Sequence, residues 1–225
     1  MDPVTFLTQF LMPALWQGLI VTLELVLLTA PFGLVLGIGI ALGRQYGGPA
    51  LSTACAGYVV FFKGCPLLLL LFMLYFGLPT VGITLPAFTA SVLGFILCNA
   101  AYNSEYVRGA IKSIKDGQMT AAQALGMTKV QAIETIILPQ ALRRAIPGLS
   151  NEFIYLIKYS SLAYMITVVE LSGAAKLVAT KYFMFNEAFL AVGVVYLVLV
   201  TLTTYGVHLL EKRVAVPGLT GKSRA

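Results

Sequence analysis

The sequence predicts an all-α integral membrane protein, with five transmembrane helices and one amphipathic loop on the cytoplasmic side. Three observations carry this prediction. Of the 225 residues, 59% are hydrophobic and 11% are charged, and the mean hydropathy is +0.89, far from the balance of a soluble domain. Apolar runs of about 20 residues, the length that crosses a hydrocarbon core, recur along the whole chain. One long interruption, residues 116–139, is polar and twice broken. The chain is expected to be a single transmembrane domain over residues 1–225.

The first span, about 16–42, is interrupted only by Glu24 and carries Gly33, Gly37, Gly39 and Gly43. These form two G-x-x-x-G pairs, which let helix backbones approach closely in lipid. Its N-terminal flank, MDPVTFLTQFLMPALWQG, has no basic n-region and no small-residue cleavage site, so the span is expected to be retained. The second span, about 57–77, is divided by Lys63, Gly64 and Pro66, because proline removes a helix hydrogen bond. The third, about 87–107, turns polar at Asn99, Asn103, Ser104 and Glu105. The fourth, about 146–169, encloses Asn151, Glu152 and Lys158, and the fifth covers about 189–210. Residues 170–187 balance Glu170 and Glu187 against Lys176 and Lys181, as a short interfacial helix does.

Five spans place the termini on opposite sides, and the positive-inside bias selects N-out, C-in. Arg44, Arg108, Lys112, Lys115, Lys129, Arg143, Arg144, Lys212, Arg213, Lys222 and Arg224 then face the cytoplasm, and only Lys176 and Lys181 face out. Topology thus accounts for the net charge of +6 without a nucleic-acid surface. Cys55, Cys65 and Cys98 lie in apolar runs without C-x-x-C pairing, as small apolar filler.

Within the central segment, Ala122, Val130, Ile133 and Ile137 recur at helical intervals as one hydrophobic stripe. Gly126 interrupts that helix, and Thr128 with Gln131 forms a capping box that restarts it. The residue before a proline is pushed out of the α region, so Leu138–Pro139 is expected to end the second short helix. A bent amphipathic pair of this kind suits two roles: resting on lipid headgroups, or inserting into another protein's cleft.

The spacing A-A-x3-G-x9-I-x-L-P, met at Ala121, Ala122, Gly126, Ile136, Leu138 and Pro139, resembles the cytoplasmic EAA loop of ABC-importer permease subunits. FFKGCPLLLLLFMLYFGLP at 61–79, NAAYNSEYVRGAIKSI at 99–114 and LPQALRRAIPGLSNEFIYLIKYSSL at 138–162 are similar to the polar amino acid permease family of histidine, glutamate and arginine type. The resemblance implies a type I ABC importer permease in the bacterial cytoplasmic (inner) membrane. It also implies the partners: an ABC ATPase dimer, a second permease subunit (a second copy or a paralogue), an extracytoplasmic amino-acid-binding protein and the lipid bilayer. ATP and Mg belong to the ATPase, and no cofactor is implied for this chain. Coupling to the ATPase is then expected to use Asp116, Thr120, Ala121, Ala122, Leu125, Gly126 and Met127. One departure stands out: the motif begins with Glu, and here Thr120 holds that place. Asp116, one turn earlier, is the candidate to supply the missing charge.

Ionisable groups inside spans usually face a cavity or a partner. Glu152, Tyr155 and Tyr159 fall at i, i+3 and i+7 on one face of the fourth span, where an acid and two rings suit an ammonium group. In the resembled family a KDSS or KDTS pattern stands where this chain has Lys158, Tyr159, Ser160 and Ser161, so Ser160 joins the candidate substrate pathway and Tyr159 replaces the acid. Packing of this stripe on a neighbouring subunit, with Glu152 bonded to a loop or an arginine, fits equally well. Glu105 is expected to anchor the cytoplasmic end of the third span with Arg108. Glu24 is expected to line the same cavity or bond a neighbouring helix, and Lys63 to snorkel to the cytoplasmic interface.

Catalysis is not expected. His208 is the only histidine, with no nucleophile motif beside it, and VPGLTGKSRA lacks the first glycine of a phosphate loop, with Val216 in its place. The rival function is a carrier or channel that works without an ATPase, but its midplane ion ligands are not apparent, since most polar positions lie near cytoplasmic ends.

Overall fold

The computed structural model describes residues 2–214, all of whose regular structure is helical. The VPGLTGKSRA stretch, with Lys222 and Arg224, lies outside the described residues. Eight helices follow in order: α1 Pro3–Tyr46, α2 Pro49–Gly64, α3 Leu67–Val81, α4 Ala87–Lys112, α5 Gly117–Ala124, α6 Lys129–Ile166, α7 Leu171–Tyr182 and α8 Phe185–Val214. Among the described residues α1 and α8 are each long and apolar enough to cross a membrane, and the number rises to four if each of two bent pairs, α2 with α3 and α6 with α7, counts as one span. At 1.5 Å per residue α4 is about 39 Å long, enough to span. Its polar residues explain why it is not apolar throughout: Asn99, Asn103 and Ser104 are buried inside the bundle, where a helix need not be greasy on every side.

The core is organised along α1 and α4. Gly33 packs on the Asn99 side chain, and a Cβ on Gly37 would stand 2.8 Å from Asn103 Cβ and 3.0 Å from the Ala100 carbonyl oxygen. The first G-x-x-x-G pair therefore does bring two helices together. Gly43 of the second pair faces Cys55 of α2, whereas Gly39 has nothing within 4 Å. On α6, Gly148 lies against the ring of Tyr106. At the end of the bundle that carries residues 116–139, Ala41, Val107, Ile111, Ile137 and Ala141 form a small core, and Arg144 Nη1 donates to Ser113 O at 2.5 Å and Ser113 Oγ at 2.9 Å. That arginine satisfies a backbone oxygen just past the end of α4.

Several expectations change. The span read as 57–77 is not one rod: α2 and α3 meet at 101° across Cys65 and Pro66, a break that the missing proline N–H permits. Leu138–Pro139 does not end a helix. Pro139 sits near the start of a regular stretch, Leu138–Tyr159, preceded by a wide turn, Ile133–Ile137, in which Leu138 N–H donates to Ile133 O. The i→i+5 turn accommodates the ring and the absent donor, so α6 runs from the 116–139 segment into the fourth span. The helix in 170–187 is present as α7, but Glu170 is not a surface charge. It is 0% exposed and caps α7, accepting from the Ser172 and Gly173 N–H groups and from Tyr196 Oη. Glu24 lies exposed on the outer face of α1 rather than in a cavity of the protomer.

Candidate functional site

The 116–139 segment is built by local rules. At its first break, Gly126 takes φ +86, a left-handed value that favours glycine. The Gly126 N–H donates to Gln123 O at 2.9 Å and Met127 N–H to Ala122 O at 3.1 Å, closing α5 with a Schellman turn. The capping box then opens α6: Gln131 N–H donates to Thr128 Oγ1 at 3.3 Å and Thr128 N–H to Gln131 Oε1 at 2.9 Å.

Ala122 points into the bundle with Ile133 and Ile137, all three buried. Val130, read as part of the same stripe, is 61% exposed, and Leu125 is 82% exposed. Val130 stands in the first turn after the Thr128 cap, at the outward end of α6, so it leaves the stripe while Ile133 and Ile137 keep it. Asp116, Thr120, Ala121 and Gly126 are also exposed and Met127 is half-buried. The result is an outward edge with Leu125 at the loop tip and Asp116 one turn before Thr120. The Thr120 hydroxyl donates back to Asp116 O at 3.3 Å, which leaves the acid as the outward charge of α5.

Beside the segment, an ionic cluster ties α1 to α4. Glu105 on α4 accepts from Arg44 at the end of α1 and from Arg108 Nη2 at 2.8 Å, so the anchoring role read for Glu105 holds and gains Arg44. Asn103 is not in this cluster; its Nδ2 donates to Asn99 Oδ1 at 2.7 Å.

Within the bundle, Glu152 is buried at 3% exposure, and its Oε1 accepts from Asn99 Nδ2 at 3.4 Å. Glu152, Asn99 and Asn103 thus form a ladder across α6 and α4, a connection that the polar run in the third span hinted at without naming its partner. Tyr155 and Tyr159 stack with centroids 5.9 Å apart and planes at 14°. Tyr155 is 44% exposed, whereas Glu152 in the bundle is 3% exposed. Ser160 is buried and donates to Ile157 O at 2.7 Å.

Tyr159 instead lines a cleft of about 220 Å³ with Lys63, Cys65, Cys98 and Tyr102. Lys63 Nζ lies 5.2 Å from the centre of the Tyr102 ring. Lys63 is exposed near the end of α2 and holds its ammonium over that ring. The break at Cys65–Pro66 explains this placement, because it ends α2 beside α4. Sequence reasoning missed Tyr102, whose only signal was its place four residues after Cys98 on the polar half of α4.

Comparison with known proteins completes the description. Residues 33–216 match the family of binding-protein-dependent transport system inner membrane components. The chain is 38% identical over 208 residues to the probable amino-acid permease protein YxeN of Bacillus subtilis (strain 168), covering 91% of this chain and 93% of that protein. It is 41% identical over 197 residues to the probable amino-acid ABC transporter permease protein PatM of Vibrio harveyi, covering 86% and 88%. A crystal structure of an amino acid ABC transporter with histidines superposes with a TM-score of 0.86 at 30% identity, covering 95% of this chain and 99% of that one.

Proposed function

Because the chain belongs to the family of binding-protein-dependent transport system inner membrane components, we propose that it is the permease subunit of an ATP-driven amino acid importer in which α5 and the start of α6 dock on the ATPase. The observation that carries the coupling assignment is the exposed apolar tip Leu125, held by a Schellman turn and a capping box. A rigid edge of this kind presents anchors to a cleft at little entropic cost, and the continuous α6 leads from it into the fourth span. Movement of a docked α5 therefore reaches Glu152 and Tyr159 along one helix.

In this reading five spans place the N-terminus outside and the C-terminus in the cytoplasm of an inner membrane. An extracytoplasmic binding protein delivers the amino acid, and a second permease subunit, a copy or a paralogue, completes the pathway. ATP and Mg are held by the ATPase. Polar amino acids are the substrate class, with Tyr159, Ser160, Tyr155 and Glu152 along the route.

Glu152 is assigned to the route through the ladder that it makes with Asn99. Glu152→Gln keeps the shape and removes the charge. In uptake assays on the intact transporter it is expected to raise the half-saturating amino acid concentration or lower the maximal rate about tenfold, the equivalent of roughly 1.4 kcal/mol. Wild-type uptake at unchanged thermal stability would remove Glu152 from the route.

A further inference from the structure

A second built cleft, of about 230 Å³, opens where α1, α4 and the loop into α5 meet. Its floor is apolar, formed by Ile111, Ile114 and Ile137, and its rim carries Tyr46, Lys112, Lys115 and Asp116. Lys129, from the start of α6, places its Nζ 5.7 Å from the centre of the Tyr46 ring and so adds a third cation at the rim. None of these lysines has a carboxylate within 4.0 Å among the described residues, where the salt bridges are those of Glu105 and the His208–Glu211 pair. Three cations face one acid, Asp116.

We propose that this cleft binds the headgroup of an anionic phospholipid of the cytoplasmic leaflet, with the phosphate on Lys112 and Lys115 and the glycerol against the isoleucine floor. The proposal rests on the N-out orientation given above. Its position argues for lipid over an acidic segment of another protein. The cleft lies at the end of α4 and beside Tyr46 at the end of α1, where the apolar spans give way to basic residues, and basic pockets between spans hold lipid headgroups. A purely coulombic protein contact has no use for an apolar floor. The cleft also touches the coupling segment, because Asp116 and Met119 belong to its wall. A bound headgroup would thus brace the base of α5 and raise coupling efficiency.

The test uses the intact transporter, permease with its ATPase, in nanodiscs of phosphatidylcholine with or without phosphatidylglycerol, and native mass spectrometry of the detergent-solubilised complex to count retained phosphatidylglycerol. The double variant Lys112→Gln/Lys115→Gln is expected to bind phosphatidylglycerol roughly 30-fold more weakly and to lose the stimulation of ATP hydrolysis by that lipid. Lys176→Gln/Lys181→Gln, at the opposite side, should keep both. Equal lipid retention by the Lys112/Lys115 variant would overturn the proposal. So would loss of ATPase co-purification with retention unchanged, which would assign the lysines to a protein contact. Displacement of the lipid by soluble glycerol phosphate at equal concentration would assign the cleft to free phosphate instead. Because lipid retention is read separately from uptake, its failure leaves the transport reading standing.

Discussion

Leu125→Asp is expected to uncouple the transporter: ATPase co-purification falls on the order of 100-fold and uptake is lost, while the permease itself folds normally. Leu125 is 82% exposed in the isolated chain, so its replacement removes no contact inside the bundle. At a docking interface, however, a buried apolar anchor contributes about 2 kcal/mol or more, and a carboxylate in its place adds the penalty of burying an unpaired charge. Asp116→Asn, tested in parallel, removes only a charge-assisted contact and should weaken co-purification by about tenfold. Unchanged co-purification for both variants would show that the ATPase docks elsewhere.

Gly37→Leu is expected to destabilise the fold strongly, and Gly39→Leu to leave stability unchanged. At Gly37 a Cβ would meet not only Asn103 but the backbone of Ala100 and Ser104, and backbone in the middle of a helix has no rotamer to change. Overpacking at such a site costs about 3 kcal/mol or more, which lowers the melting midpoint of a chain of this size by roughly 6–12 °C. Gly39 faces open space. Tm measurements on the two detergent-solubilised variants separate glycines that the G-x-x-x-G spacing treats alike. Equal midpoints would contradict the α1–α4 packing.

Much of the architecture is written locally. The break at Gly126 and the restart at Thr128 depend on residues within four positions of each other, and both were readable. So was Glu105 as the anchor of the third span, since Arg108 stands one turn away, although Arg44 is 61 positions distant and was not. What the sequence hid depends on phase or on distance. Val130 left the predicted stripe because it sits in the first turn after the break, at the outward end of α6, while Ile133 and Ile137 turn into the bundle. Pro139 failed to stop a helix because a wide turn absorbed the missing donor. Glu170 looked like a surface charge until its own helix N-terminus and Tyr196 surrounded it. The pairing of Asn99 with Glu152 spans 53 positions, and no local rule announces it.

The decisive measurement is amino acid uptake into proteoliposomes holding this chain alone, this chain with its second permease subunit and ATPase, or the full set with the binding protein and ATP. Uptake is expected only in the full set, with ATP hydrolysis stimulated by the loaded binding protein and abolished by Leu125→Asp. Uptake by the chain alone, driven by an ion gradient and indifferent to ATP, would contradict the assignment and identify an independent carrier.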